Sequence, residues 1–304
     1  MSNHHPFVSV VIPSFNHGHL IGRALESVFV QTYRSFEVIV VDNHSTDNTD
    51  AVLSSHAFHG LVVLKVNNGG SIAYSRNRGI DAARGDWIAF LDSDDWWVPQ
   101  KLEECSQHFF SSDLIYHRLS ISNASPQRFL PVWSATWELI PPIFHHLLMS
   151  GNPIATSSVV VRRSLIDEVG GFNERRDLIA AEDYDAWIRI ARATDRFFYL
   201  PKSLGFYHFS PTGASRKDMS VPMRAVHAIY SDYLSHSDCK RMDASPAYAA
   251  GHYAYQAGHL RVALKELQKS FLYGRLELKI RSLLFMVAIS GKHFLILLFD
   301  SHNQ

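Results

Sequence analysis

Apolar residues along the first hundred positions come in short runs, and each run ends in a polar cluster. Phe7 to Ile12 is β-branched and stops at Pro13-Ser14-Phe15-Asn16. Phe36 to Val41 stops at Asp42, Leu61 to Val66 at Asn67-Asn68-Gly69-Gly70, and Trp87 to Leu91 at Asp92-Ser93-Asp94-Asp95. Runs of this length bounded by turn residues predict buried strands. Between them, residues 18–31, 47–56 and 71–83 read as helices, the first with Leu20, Ala24, Leu25 and Val28 at helical spacing. Strand and helix in alternation predict a parallel sheet with helices on both faces. Right-handed crossovers then bring the four polar strand ends to one edge, where open α/β sheets bind ligands.

Beyond Pro99, which is placed to open a helix at its first position, the pattern loosens. Residues 101–110 read as helix and 114–121 as strand. Residues 122–153 read as an irregular connection rich in Trp and Pro, including Pro131, Trp133, Trp137, Pro141, Pro142 and Pro153. Such a connection suits a functional loop or ordinary packing over a sheet edge. Strand character returns at 156–161, Gly170-Gly171-Phe172 makes a turn, and Glu182 to Ala191 reads as a helix with acids at its N-terminus. Residues 197–209 read as one or two closing strands. From Pro222 the chain turns helical, with periodic segments at 248–257, 260–271 and 276–289 split by glycines. We expect a domain over 1–217, with one half to about 98 and another from 99, and a helical region over 218–304.

Composition narrows the function. With 304 residues and a formal net charge of zero, no global field favours nucleic acid. Two cysteines support neither a disulfide framework nor a zinc site and suggest a reducing compartment. The scattered histidines, among them His56, His59, His252 and His259, read as core or surface residues. The N-terminus lacks a basic stretch before its apolar run, which reads against a signal peptide and for a cytoplasmic location. Lys265, Lys269, Arg275, Lys279, Arg281 and Lys292 bias the C-terminal helices basic. Their apolar final segment fits peripheral contact with an anionic membrane, a helical cap on the catalytic domain, or a homo-oligomer contact.

The chemistry concentrates at Asp92, Asp94 and Asp95. Clustered carboxylates repel and are costly to desolvate, so hard oxygen ligands here suit Mg²⁺ or Mn²⁺, with phosphate oxygens completing the shell. A solvated turn capping the next helix is the plainer alternative. No Gly-x-Gly-x-x-Gly follows the first strand and no Gly-Lys-Ser/Thr follows any strand, which disfavours a dinucleotide dehydrogenase and a P-loop nucleotidase.

Taken in order, Val10-Val11-Ile12-Pro13-Ser14-Phe15-Asn16, Val40-Val41-Asp42-Asn43-His44-Ser45-Thr46-Asp47, Ser75-Arg76-Asn77-Arg78-Gly79 and Phe90-Leu91-Asp92-Ser93-Asp94-Asp95 resemble the family 2 glycosyltransferases of the GT-A fold. The match covers roughly residues 7–210. It implies a Rossmann-like, mostly parallel sheet flanked by helices. It implies that Pro13, Ser14, Asn16 and Asp42 hold the nucleotide base, and that Arg76 and Asn77 lie beside the diphosphate. Asp92 and Ser93 would contact the nucleotide and Asp94 the metal, with Asp95 a second contact. Gly-Gly-Phe followed by Glu-Asp implies that Asp183 is the catalytic base and that Glu182 orients it or meets the acceptor. His208 would be a further metal or diphosphate contact, and Ser215, Arg216 and Lys217 a lid. The family often reads Asp-Asp-Gly-Ser where this chain has Asp42-Asn43-His44-Ser45.

The expected reaction is metal-dependent, inverting transfer from a nucleotide-diphosphate sugar, a UDP-sugar first, to a saccharide or lipid-linked saccharide hydroxyl. An aspartate near pKa ~4 is a weak base, so proton transfer would accompany attack. A nucleotidyltransferase would show a Gly-rich basic loop after the first strand, and Pro13-Ser14-Phe15-Asn16-His17 is not one. A non-catalytic scaffold on the same fold is disfavoured by the retained Asp92, Asp94 and Asp183.

Overall fold

The computed structural model describes residues 6–56, 60–122, 136–209 and 218–300. His59, Pro131, Trp133 and the proposed lid Ser215–Lys217 lie outside the described residues. The chain divides into two compact units. The first comprises Met1–Phe144, Asn152–Glu174 and Glu182–Ser210, the second His145–Gly151, Arg175–Ala181 and Pro211–Gln304.

The first unit is built on an eight-stranded sheet. Its strands are β1 (Val8–Ser14), β2 (Phe36–Asp42), β3 (Leu61–Lys65), β4 (Trp87–Phe90), β5 (Trp96–Trp97), β6 (Leu114–Ser122), β7 (Val160–Arg162) and β8 (Phe197–His208). Their order is β3-β2-β1-β4-β7-β6-β8-β5. The first four are parallel to one another, as the alternating pattern predicts. β1, β2 and β4 are buried throughout because both sheet faces are covered, so their sequences read as continuous apolar runs. At the edge, β3 leaves Val62 and Val63 exposed. Beyond β4 the sheet becomes mixed: β7 runs antiparallel to both β4 and β6, while β6 and β8 are parallel.

The helices α1 (Ile21–Phe29), α2 (Thr49–Ser55) and α3 (Ile72–Ala82) make the first three crossovers. Ile21, Ala24, Leu25 and Val28 on α1 join the core with Val8, Val10 and Ile12 of β1. α3 packs so closely on β1 that a Cβ on Gly79 would lie 2.3 Å from Val11 Cγ1. The chain moves outward from β1 through β2 to β3, then returns to the other side of β1 as β4. That reversal opens a crevice at the carboxyl ends of β1 and β4.

Several boundaries differ from expectation. Helix α4 spans only Lys101–Ser106, and Pro99 precedes it by two residues. The Ser106 hydroxyl bonds back to the Glu103 carbonyl, and the next bonds skip three residues, so the last turn tightens and ends. The connection read as irregular contains α5 (Ile143–Ser150), which begins directly after Pro141-Pro142. Residues 156–158 form a 3₁₀ turn instead of strand, with Ser158 Oγ bonding to the Ala155 carbonyl. Helices α6 (Arg163–Glu168) and α7 (Glu182–Ala193) follow.

The second unit holds α8 (Ser220–Tyr230), α9 (His236–Met242), α10 (Ala244–Gln256), α11 (Leu260–Tyr273) and α12 (Leu276–Asp300). Ala254, Ala263, Leu267 and Ile289 form its core. α10 and α11 touch where Gly251 lets Leu267 approach. Among the described residues, no helix is long and apolar enough to cross a membrane.

Candidate active site

The crevice is lined by three strand-end loops. β1 and β2 are in register, so Ser14 and Asp42 are cross-strand neighbours. The two loops that follow are laced together. Asn43 N–H donates to the Ser14 carbonyl and Asn16 N–H to Ser45 Oγ, both at 2.8 Å. Thr46 N–H donates to Asn16 Oδ1 at 2.8 Å, and Gly18 N–H to Asp47 Oδ2 at 2.9 Å. Asn16 and His44 both have positive φ, at 51° and 57°. The left-handed region costs little for glycine or Asn and more for His, which explains the glycine that the family pattern often has at position 44.

Asp42 is fully buried and its carboxylate accepts three hydrogen bonds. It accepts from the Ser45 hydroxyl and amide and from Lys65 Nζ at 2.9 Å. Ser14 Oγ, by contrast, is buried with no hydrogen-bond partner, and Pro13 stands beside Val41 in the ladder.

At the end of β4, Asp92 N–H donates to Ser157 Oγ at 3.0 Å and Ser93 Oγ lies 2.7 Å from His17 Nδ1. Asp95 N–H closes the turn onto the Asp92 carbonyl, and Arg23 holds the Asp94 carbonyl at 2.8 Å while stacking on Trp96. Burial, and then the neighbouring Asp92 charge, push the Asp94 carboxyl above its usual range, while His17 and His208 oppose the rise. Asp95 is raised further, by burial and by Asp94, and accepts the His208 backbone N–H at 2.8 Å. Burial lowers the His208 pKa below the ordinary histidine value, with the Asp94 charge partly restoring it. Clustered carboxylate oxygens beside an imidazole are a donor set that fits a divalent cation, whose charge would relieve the repulsion that raises these carboxyls. Among the described residues, no three His, Cys, Asp or Glu side chains form a metal cage by themselves.

Arg76 joins this turn to the start of α7. It is buried, with Nη2 2.8 Å from Asp92 Oδ1 and Nη1 2.8 Å from Glu182 Oε1. Glu182 Oε2 is buried and unpartnered. Next to it Asp183 is half-buried and accepts from the Tyr184 amide at 2.6 Å, Thr156 Oγ1 at 3.2 Å and Asn152 Nδ2 at 3.3 Å. Burial first, then the Glu182 charge, push the Asp183 carboxyl up to about 7, against Arg76 and the hydrogen bonds it accepts. This aspartate is therefore a far stronger base than one titrating near ~4.

Two residues stand differently from the expected diphosphate contacts. Both amino groups of Arg76 are committed to protein carboxylates. The Asn77 carboxamide accepts from Phe172 N–H at 2.7 Å, and donates to the Phe172 carbonyl and to Glu174 at 2.8 Å each. A Cβ on Gly171, at φ 68°, would fall 2.5 Å from Asn77 Oδ1. The structure thus brings together Asp92, Ser93, Asp94 and His208, joins them through Arg76 to Glu182 and Asp183, and places Asn77 in a clamp on the Phe172 turn. His17, Arg23, Asn152, Thr156 and Ser157 belong to the site without a sequence signal; only His17 adjoins a motif.

The sequence profile of glycosyl transferase family 2 matches residues 9–170. The chain belongs to that family. It is a glycosyltransferase, as are its named relatives. It is 31% identical over 230 residues to the amylovoran biosynthesis glycosyltransferase AmsB of Erwinia amylovora, covering 70% of this chain and 73% of that protein. It is 30% identical over 183 residues to the Escherichia coli UDP-Glc:alpha-D-GlcNAc-diphosphoundecaprenol beta-1,3-glucosyltransferase WfaP, covering 60% and 69%. In fold it resembles S. aureus TarS 1-349 in complex with UDP-GlcNAc, with a TM-score of 0.64 at 22% identity over 88% of this chain and 79% of that one. The mannosyltransferase PcManGT of Pyrobaculum calidifontis, in complex with GDP-Man and Mn2+, gives 0.60 at 18% identity over 97% and 81%. The GT-A-like α/β architecture expected from the motifs is the one observed.

Proposed function

We propose that this family 2 glycosyltransferase transfers a sugar from a nucleotide-diphosphate sugar to a saccharide or lipid-linked saccharide hydroxyl, with inversion, in the synthesis of a surface polysaccharide or glycoconjugate. The observation that carries the reading is the Asp183 carboxyl, held near 7 and connected through Glu182 and Arg76 to the acidic end of β4. A base titrating near the working pH combines a useful ionised fraction with real proton affinity. Asp183 takes the acceptor proton as the hydroxyl attacks the anomeric carbon opposite the leaving diphosphate.

The loops after β1 and β2, with Pro13, Ser14, Asn16 and Asp42, hold the base; the unpartnered Ser14 hydroxyl is the group left to contact it. Asp92 and Ser93 meet the ribose and diphosphate side. Asp94, with His208, would hold Mn²⁺ or Mg²⁺, which neutralises diphosphate charge and improves the leaving group. Arg76 positions Asp92 and Glu182 without touching donor, and Asn77 fixes the turn before α7. AmsB is named for amylovoran biosynthesis and WfaP for transfer from UDP-Glc to a diphosphoundecaprenol-linked sugar. The WfaP name favours a UDP-sugar donor and a lipid-linked acceptor, and our reading places that acceptor at the inner face of a membrane.

The test is calorimetric titration with UDP, GDP and dTDP, with and without Mn²⁺, on the native chain and on Asp183→Asn. One nucleotide binds tightly and metal-dependently to both proteins, and transfer by the variant falls by at least ~10²-fold. Undiminished turnover in Asp183→Asn would remove the base assignment.

A further inference from the structure

The second unit contains a basin of about 690 Å³ whose lining includes Lys240, Arg241, Tyr273, Arg275 and Lys279, with Met149 and Leu272 as apolar members. Its volume is within the usual range for ligand sites. No carboxylate is among the lining residues. Arg241 and Arg275 reach acids outside it, at 3.9 Å from Asp238 and 3.3 Å from Glu277. Lys240 and Lys279 make no ion pair among the described residues, and Lys240 Nζ stands 5.8 Å from the Tyr273 ring. Uncompensated cations gathered around a hollow repel one another, so the site gains from an anion.

The apolar surface beside it says which anion. Along α12, Leu276, Ile280, Leu284 and Val287 recur at helical spacing and are 73%, 52%, 64% and 62% exposed. Leu276 and Ile280 directly follow the basin's own Arg275 and Lys279 in the chain, so the apolar strip begins at the cationic hollow. A soluble phosphate would use the hollow and leave the strip in water. An anionic lipid surface uses both: headgroup phosphates enter the basin while the strip settles among the upper acyl carbons. We propose that the basin and strip are the docking surface for an anionic bilayer, on which α12 lies without crossing. The proposal rests on the membrane part of the reading above and not on its transfer chemistry, so each fails separately.

The experiment is co-sedimentation of the full chain with phosphatidylcholine vesicles, with and without phosphatidylglycerol, at low and high salt. Binding should require phosphatidylglycerol and weaken with salt. The pair K240Q/K279Q should lower partitioning by about tenfold or more, since each basic residue near an anionic surface contributes about fivefold. Nucleotide affinity and the thermal melt should be unchanged in that pair. A second pair, L276S/I280S, tests the strip at exposed positions that tolerate the change and should also release the protein. Equal binding to neutral and anionic vesicles, unchanged partitioning in both pairs, or binding of inorganic phosphate without any vesicle binding would overturn the proposal.

Discussion

Asp183 shows how one environment sets both reactivity and stability. Its folded pKa, about 7, lies above the ordinary carboxylate value of ~4. The folded state therefore holds a proton that the unfolded chain releases. The stability linked to this group is fully present below pH ~4 and is lost as pH rises through about 7. With Asp183 as the proposed base, activity should follow the opposite course, because only the ionised form accepts a proton: kcat/KM of the free enzyme should rise with pH through about 7, as a pH–rate profile would show. Asp183→Asn should lose turnover and gain thermal stability above pH 7, a pairing that a merely structural aspartate would not give. His44 is a second case. At φ 57° an L-residue bears backbone strain. His44→Gly should raise stability by about 0.5 kcal/mol after the flexibility of the unfolded glycine is counted, read as a small upward shift of the melt. Asp42, Asp92 and Asp94 were legible in the sequence because each interrupts an apolar run at its end. Arg76 was legible as a site residue, but its role was not: its partners Asp92 and Glu182 are 16 and 106 residues away. Arg23, Thr156 and Asn152 gave no sign, since their roles come from tertiary neighbours alone.

At the level of elements, the central strands were readable because burial on both faces requires an unbroken apolar run. Short elements were not. β5 has two residues and β7 three, and neither holds enough positions to show a period. The 3₁₀ turn at 156–158 was read as strand because its threonine and the valines after it are good strand formers. There the serine hydroxyls decide the outcome by bonding locally and to Asp92 N–H. The contact between α3 and β1 depends on one missing side chain. Gly79→Ala improves helix propensity by about 1 kcal/mol. It also drives a methyl into Val11, a buried β-branched residue with little room to turn, at a cost of about 1–3 kcal/mol. The variant should lose net stability and show a melt lowered by a few degrees. A melt at or above the native one would mean that α3 can slide along the sheet.

For the whole molecule, the chain passes from one unit to the other more than once. The segments His145–Gly151 and Arg175–Ala181 belong to the helical unit although Pro211–Gln304 supplies most of it. Within that unit, the short turn Arg176–Leu178 packs on α8, and Leu178 is fully buried. A chain stopped after residue 217 should therefore leave Leu178 without its cover, and should melt earlier and aggregate more readily than the full chain, as light scattering during heating would show. A truncated chain that melts like the native one would show that the inserted segments find cover of their own. Interleaving of this kind also bears on how such a protein changes over time. A tail joined at a single point can be lost or exchanged in one genetic step without harm to what precedes it. Here the helices could be traded only together with two short stretches embedded in the sheet-bearing half, one of which ends directly before Glu182 and Asp183. Catalytic and helical parts are thereby bound to a shared inheritance.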